Sequence, residues 1–514
     1  MRALDVAGGS PHQGVKVFAD YAGPISASCE ALVVGSGPGG AVVAKELAEA
    51  GIDVILLEEG PPFGAADFRK DAGAAMQRTL RGHGTRVAMG NAYMPTMQAN
   101  ALGGGSLINS AICARTPSFA FETWRERTGI GLTREALDPH YARVERFLGV
   151  GPTPQEALGQ RNLRFKMGCD ALGMSSEPTH RNVRGCKGSS ECFTGCPTGA
   201  KRSTDVSYVP AAIRAGARVY TSVRAEHLLH DGSIARGVRG HVVEPFTSRE
   251  GHEVEIRAKI VVLAAGCMQT PVILLKSGLG GRWVGNELQF HPGLAIMAVY
   301  EEAIDPWVGA TQGYHSLHHL KEGLKLEVLW APPAILATRL PGIGHAYQRN
   351  LLNYDRMAPF DVIAAADRSR GRVRASRFGW SPRISFDLHE DDMALLMRGL
   401  GILSDICWAS GAVGVLPGVN GIPDFLSSRA EAEILRTAKV RPRDAVIGSN
   451  HAFGTTRMSR RPEDGVVDEY GRHHLVRNLY VADTGIFAGS PAVNPMLTCM
   501  ALADRVAKGI AERR

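Results

Sequence analysis

The chain has 514 residues, too many for one ordinary hydrophobic core, so two domains are expected. Hydrophobic residues make up 44% and charged residues 21%, the balance of a soluble globular protein. The net charge of +7 is scattered, with no arginine-rich arm or basic–aromatic stripe, which excludes nucleic acid as an expected partner. No run of about 18 apolar residues marks a membrane-spanning helix, and "MRALDVAGGSPHQG" at the start lacks the apolar core of a secretory signal. Nine cysteines, an odd number, fit a reducing compartment. A cytoplasmic location is therefore expected, with peripheral membrane contact left open.

Residues 1–28 carry little periodicity and read as an extension or a short edge hairpin. Cys29 to Gly60, "CEALVVGSGPGGAVVAKELAEAGIDVILLEEG", reads as strand, glycine turn, helix and second strand, a complete βαβ unit. "LTREALDPHYARVERFLGV" is a good amphipathic helix within a segment, 116–185, expected to be a helical connection or lid. A cysteine-rich stretch runs from Gly185 to Gly199. Helix, strand and a β-meander follow, ending in the apolar strand "IVVLAAG". Residues 296–444 change character, with alternating strands such as "LKLEVLWA" and "RISFDLHE" and one long helix, "DDMALLMRGLGILSDICWASG". The last segment returns to strand, loop and helix. The expected fold is α/β (α+β overall). A Rossmann-like domain is built from 1–115, 186–295 and 445–514, and a substrate domain from 296–444 on a mostly antiparallel sheet.

Gly35, Gly37 and Gly40 form G-x-G-x-x-G between strand and helix, and Glu58 closes the second strand 23 residues after Gly35. The first glycine makes the turn, the second lets backbone N–H groups reach a pyrophosphate, and the third lets helix pack on strand. The acid then accepts hydrogen bonds from an adenosine ribose. "IVVLAAGCMQTP" supplies a second strand end near the cofactor and "NLYVADTG" a third, ending in Asp483. Three converging strand ends suit an extended FAD better than a nicotinamide dinucleotide.

These motifs, with "LGGGSLINSAI" (Leu102 to Ile112), "VGNELQFHPG", "HAFGTTRM" and "GIFAGSPAVNPMLTCMALADRVA", resemble in kind and order the glucose–methanol–choline (GMC) flavin oxidoreductases. The resemblance covers about half of the chain. It implies FAD, a sheet-roofed active site, and oxidation of an alcohol by hydride transfer to flavin N5. An electron acceptor, oxygen or a carrier, would reoxidise the flavin. Gly104, Gly105, Ser106 and Asn109 would lie along the flavin, with Val223, Pro495 and Met496 also against the cofactor. His451 falls on the family's catalytic histidine and Asn494 on its second active-site position. A neutral imidazole can accept the alcohol proton while the asparagine amide holds the substrate oxygen.

The remaining candidates read as structural. Cys186, Cys192 and Cys196, with Lys201 after them, have spacings too irregular for a zinc site and suit a packed loop or an occasional disulfide, so no metal is expected. A similar cysteine-rich segment occurs in the branch that resembles long-chain alcohol and bacterial sterol oxidases. His291 reads as structural, since Phe290 stands where the family commonly has an acid. His473 and His474 read as an exposed turn, and His315, His318 and His319 as surface residues without an acid at ligand spacing. "LWAPPAILATRLPGIG", Leu329 to Gly344, could wall a hydrophobic pocket. The leading expectation is a hydrophobic alcohol. Sugar-like or aminoglycoside alcohols, and lyase or photodecarboxylase chemistry on the same fold, are the alternatives.

Overall fold

Apolar runs rather than alternating ones distinguish the strands of the first sheet: Ala31, Leu32 and Val33, Val54 to Leu56, and Val261 to Leu263 are all 0% exposed. Such runs belong to parallel strands covered on both faces. The computed structural model describes residues 12–68, 71–330, 332–337 and 339–513. Its largest sheet has eight strands. Five lie side by side and parallel, in the order Val15–Lys16, Arg218–Tyr220, Val54–Leu57, Ile25–Val34 and Glu250–Leu263. The Glu250–Leu263 strand pairs antiparallel with Ala235–Val243 along its first half, and Val223–His230 follows as the edge of the meander. Its last three residues pair instead with Leu479–Val481.

The register brings the C-terminal ends of four strands to one level. Val34 is opposite Leu57 on one side and Leu263 on the other, and Leu263 is opposite Val481. That edge is where open parallel sheets bind ligands, because the following loops and helix N-termini present free N–H groups there. The helix Pro38–Glu49 starts at this edge with proline at its first position, where a missing N–H costs no hydrogen bond. Its apolar face packs on the C-terminal helix Met496–Ala511, whose outer face is covered by Arg134–Leu148.

The second sheet has six antiparallel strands in the order Gly414–Leu416, Gly293–Val299, Met357–Ala364, Leu324–Val328, Tyr314–Ser316 and Glu177–Pro178. Here the side chains alternate. Leu324, Leu326, Val328, Phe360, Val362, Leu294 and Ile296 form one core with Met393, Leu396, Leu400 and Leu403 of the long helix Glu390–Ala409. Lys325, Glu327, Asp361 and Ile363 point the other way, toward the edge of the first sheet.

Two expectations about organisation need correction. The segment 1–28 forms no hairpin in its described part: Val15–Lys16 pairs in parallel with Arg218–Tyr220, and residues 1–11 lie outside the described residues. The 116–185 segment is not a single connection or lid. Arg134–Leu148 packs on the C-terminal helix, whereas Gln160–Ala171 packs on Glu390–Ala409 and Glu177–Pro178 adds a strand to the second sheet.

Candidate active site

Between the strand ends of the first sheet and the polar face of the second lies one continuous cavity of about 390 Å³. One arm runs along Gly35, Gly37, Glu58, Gly104, Gly105, Asn109, Val223, Asp483, Pro495 and Met496; the other ends at His451 and Asn494. Twelve of the fourteen residues singled out from the sequence therefore line a single cavity. The exceptions are Gly40 and Ser106. Ser106 is buried beneath the glycine loop, where its hydroxyl donates to the Gly103 carbonyl at 2.7 Å and meets Thr204 Oγ1 at 3.0 Å.

The glycine turn divides its labour as the spacing implies. A Cβ on Gly40 would stand 1.9 Å from the Gly35 carbonyl oxygen, so this glycine seats helix on strand. A Cβ on Gly37 would meet only the Gly104 Cα, at 3.9 Å, so its backbone is open to the groove. Gly40→Ala should therefore lower the melting temperature and impair FAD retention together. Gly37→Ala should leave the melting temperature of the cofactor-stripped protein near wild type and weaken FAD alone. Thermal melts of both forms with flavin release measured alongside check this.

Glu58 already accepts three hydrogen bonds, from Ser36 N at 2.9 Å, Ser36 Oγ at 2.6 Å and Gly60 N at 2.8 Å. A carboxylate offers about four acceptor positions, so one remains for a ribose hydroxyl. Asp483 ties two strand ends together. Its carboxylate accepts from Gly266 N at 3.0 Å, Thr270 Oγ1 at 2.5 Å and Gly485 N at 2.8 Å, while burial raises its pKa to about 6. Asn109 donates to the Met496 sulfur at 2.8 Å, joining the glycine loop to the start of the last helix. An extended dinucleotide fits these residues: an open glycine turn at a helix N-terminus, an acid with a free acceptor position, and three strand ends along one groove.

At the far arm a chain of side chains fixes the state of His451. Lys325 is 1% exposed and donates to Asn494 Oδ1 at 2.5 Å. The amide is thereby oriented with Nδ2 toward His451 Nε2, 3.4 Å away. A ring nitrogen facing an N–H donor is unprotonated, so the His451 proton sits on Nδ1, 3.3 Å from His291 Nδ1. That proton is donated to His291, whose own proton must then lie on Nε2, 2.8 Å from Ser490 Oγ. The bond at 3.4 Å is long, so the Nε2 lone pair is available to a substrate hydroxyl. Burial draws the pKa of His451 down to about 4, with Glu327 opposing and Lys325 assisting, and burial also puts His291 well below its ordinary value. Both rings are neutral at pH 7. His291, read from the sequence as structural, is the direct neighbour of His451.

Four residues of this arm were not singled out from the sequence. Lys325 and Glu327 form a fully buried ion pair, and Gln312 Nε2 donates to Glu327 at 2.6 Å. Asp361 lies directly across the strand pair from Glu327. Burial and the Glu327 charge raise its pKa well above the usual carboxylate range, with Arg339 and Lys325 opposing. Leu329, Trp330, Ile335 and Leu336 of the expected apolar wall do line the cavity, but Arg339 from the same segment faces it as well.

Three of the other histidines differ from expectation. His315 is not a surface residue: it is 3% exposed, with Thr179 Oγ1 at 3.0 Å and the Glu177 carboxylate at 3.2 Å. His473 and His474 are half-buried, the first accepting backbone N–H bonds from Leu475 and Val476 and the second meeting Ser459 Oγ at 3.0 Å. None of the nine cysteines is in a disulfide. Among the described residues the only three side chains converging at metal-ligand distance are Glu226, His241 and Glu250, and Arg224 already pairs with both carboxylates.

A parallel sheet with a glycine turn and acid at its C-terminal edge, roofed by a second sheet over a neutral histidine, defines an FAD-dependent oxidoreductase. Family models described as GMC oxidoreductase match residues 31–293 and 367–503, and the chain belongs to that family. It is 33% identical over 512 residues to an uncharacterised GMC-type oxidoreductase of Mycobacterium tuberculosis, covering 98% of this chain and 79% of that one. A long-chain-alcohol oxidase of Arabidopsis thaliana, FAO4B, is 28% identical over 94% of this chain and 67% of its own. The 6'''-hydroxyparomomycin C oxidase of Streptomyces lividus is 26% identical over 93% and 90%. Among solved structures, pyridoxine 4-oxidase from Mesorbium loti has the same fold, with a TM-score of 0.72 at 18% identity, covering 95% of this chain and all of that one. No described helix is long and apolar enough to cross a membrane.

Proposed function

We propose that the protein oxidises an alcohol to an aldehyde or ketone, with His451 as general base and Asn494 holding the substrate oxygen. The observation that carries this reading is the hydrogen-bonded chain from Lys325 to Ser490, which leaves His451 Nε2 unprotonated in a cavity continuous with the dinucleotide groove. Bound flavin supplies the acceptor for the hydride that leaves the alcohol carbon. The protein's part is to take the hydroxyl proton on Nε2 and to keep the oxygen fixed by the Asn494 amide. Positive charge arising on the ring is stabilised by His291, which accepts from Nδ1, and by the nearby Glu327 carboxylate. Retention of both His451 and Asn494 argues against lyase or photodecarboxylase chemistry.

The apolar wall of Leu329, Trp330, Ile335 and Leu336 supports an alcohol with a hydrophobic body, in keeping with the similarity to long-chain-alcohol oxidases. A second reading rests on Asp361. This half-buried acid faces the same cavity and makes no ion pair among the described residues, so it suits a substrate bearing a hydrogen-bond donor or an amine, as the similarity to the hydroxyparomomycin oxidase also suggests. Anaerobic bleaching of the flavin across fatty, aromatic, sterol, sugar and amino alcohols tests the function. Asp361→Asn separates the two readings. It should raise the KM of an amine-bearing alcohol roughly tenfold or more, the cost of a lost charge-assisted bond, and leave that of a plain fatty alcohol unchanged.

A further inference from the structure

The cysteine-rich loop lies directly behind the glycine loop, and its electrostatics are unusual. Arg181 is 0% exposed and has no carboxylate partner among the described residues. Its Nη2 stands 3.1 Å from Cys192 Sγ, its Nη1 3.8 Å from Cys186 Sγ, and its Nε donates to the Ser110 carbonyl at 3.0 Å. Lys201, 2% exposed, donates only to carbonyls: Leu107 at 2.5 Å, Asn109 at 2.8 Å and Cys192 at 2.9 Å. A third buried cation, Arg161, contributes its field to Cys192 from a cage of backbone carbonyls, and the buried Asp205 acts on Lys201 from the other side. A buried guanidinium without an anion is costly; Arg161 offsets that cost with backbone carbonyls, whereas Arg181 has one carbonyl and two sulfurs, so the atom placed to supply an anion is the Cys192 sulfur.

The other buried thiols mark the contrast. Burial pushes Cys29, Cys113, Cys169 and Cys267 up to about 12. At Cys192 burial acts in the same direction, but Arg181 and then Lys201 outweigh it and leave the thiol below its ordinary value. A small cavity of about 10 Å³ touches Cys192 together with the half-buried Cys186 and Cys196. Such a space is about one water molecule in size, which excludes bulky electrophiles and leaves hydrogen peroxide, only one oxygen larger, as the smallest two-electron oxidant to approach it.

We propose that Cys192 is held as a thiolate, the counter-ion of Arg181, and is the site at which a hydroperoxide oxidises this chain, with consequences for the cofactor loop. The thiolate attacks the peroxide: an S–O bond forms, the O–O bond breaks, and the leaving hydroxide takes a proton to become water. Sulfur gives up two electrons, the peroxide oxygens gain them, and the product is a neutral sulfenic acid. Arg181 then lacks its anion. The same Arg181 and Lys201 hold the carbonyls of Leu107, Asn109 and Ser110, and Asn109 and Ser110 line the cofactor groove, so the loss is felt there.

The test exposes holoenzyme to graded hydrogen peroxide, quenches it, and unfolds it into dimedone for peptide mapping, with residual flavin reduction by an alcohol measured in parallel. The expected result is a dimedone adduct on Cys192 at peroxide concentrations that leave the other eight cysteines unmodified, with activity lost in step. Cys192→Ser, compared with its own untreated activity, should resist that loss. A first adduct on another cysteine, no adduct at all, or equal inactivation of variant and wild type would overturn the proposal. Should Cys192→Ser fail to fold, the order of labelling on the wild-type chain decides alone.

Discussion

Replacing His451 with alanine should lower the rate of anaerobic flavin reduction by an alcohol roughly 10²- to 10⁴-fold, the usual worth of a positioned general base. The protein should stay yellow, because the groove residues from Gly35 to Asp483 are untouched by the change. The pH dependence follows from the same ring. With its pKa drawn down to about 4, His451 is neutral and able to accept a proton throughout the physiological range. As pH falls through about 4 the ring becomes protonated and the base is lost. The profile of kcat/KM, which reports the free enzyme, should thus be flat from pH 8 to about 5 and decline toward 4. A decline centred near the unperturbed histidine value of about 6.5 would mean that the ring is less enclosed than the structure has it.

Lys325 should show the second-largest effect, and two variants separate its roles. Lys325→Met alone strands Glu327 as an unpaired buried carboxylate, which should cost about 3–5 kcal/mol of stability. Lys325→Met combined with Glu327→Gln removes both charges and should recover most of that loss. The double variant still lacks the donor that fixes the Asn494 amide. With Oδ1 released, the amide is free to turn its oxygen toward His451, which favours the tautomer with a proton on Nε2. Flavin reduction should fall by about 10²-fold, the scale seen when a reacting group is displaced by about 1 Å. Chemical denaturation and stopped-flow reduction, run on both variants, measure the two effects separately.

How much of this was legible depended on how local the chemistry is. Gly35, Gly37, Gly40 and Glu58 belong to one continuous βαβ unit, so spacing alone was enough to single them out. His451 and Asn494 are 43 residues apart and meet only because the last strand and helix return to the first sheet; their family motifs carried them, and no local pattern could. Lys325 and Glu327 were hidden for a different reason. In "LKLEV" polar residues alternate with apolar ones, which reads equally as a solvent-facing or a site-facing strand surface. What covers that surface is the edge of the other sheet, far away in sequence. His315 was misjudged in the same way, its partners being Glu177, on a strand contributed from well upstream, and Thr179, just after that strand. Ser106, named as a cofactor contact, instead braces the loop from beneath, because the short helix Gly105–Ile108 turns its side chain inward.

Oxidation of an alcohol at His451, with the neighbouring groove holding the flavin, is open to direct measurement. Its most direct test is single-turnover anaerobic reduction of the purified yellow protein, wild type against His451→Ala, by whichever alcohol bleaches the flavin fastest. Rapid bleaching of the wild type and near-abolition in the variant are expected, with equal flavin content. Equal bleaching rates in the two proteins, or a yellow wild type that no alcohol bleaches, would contradict it.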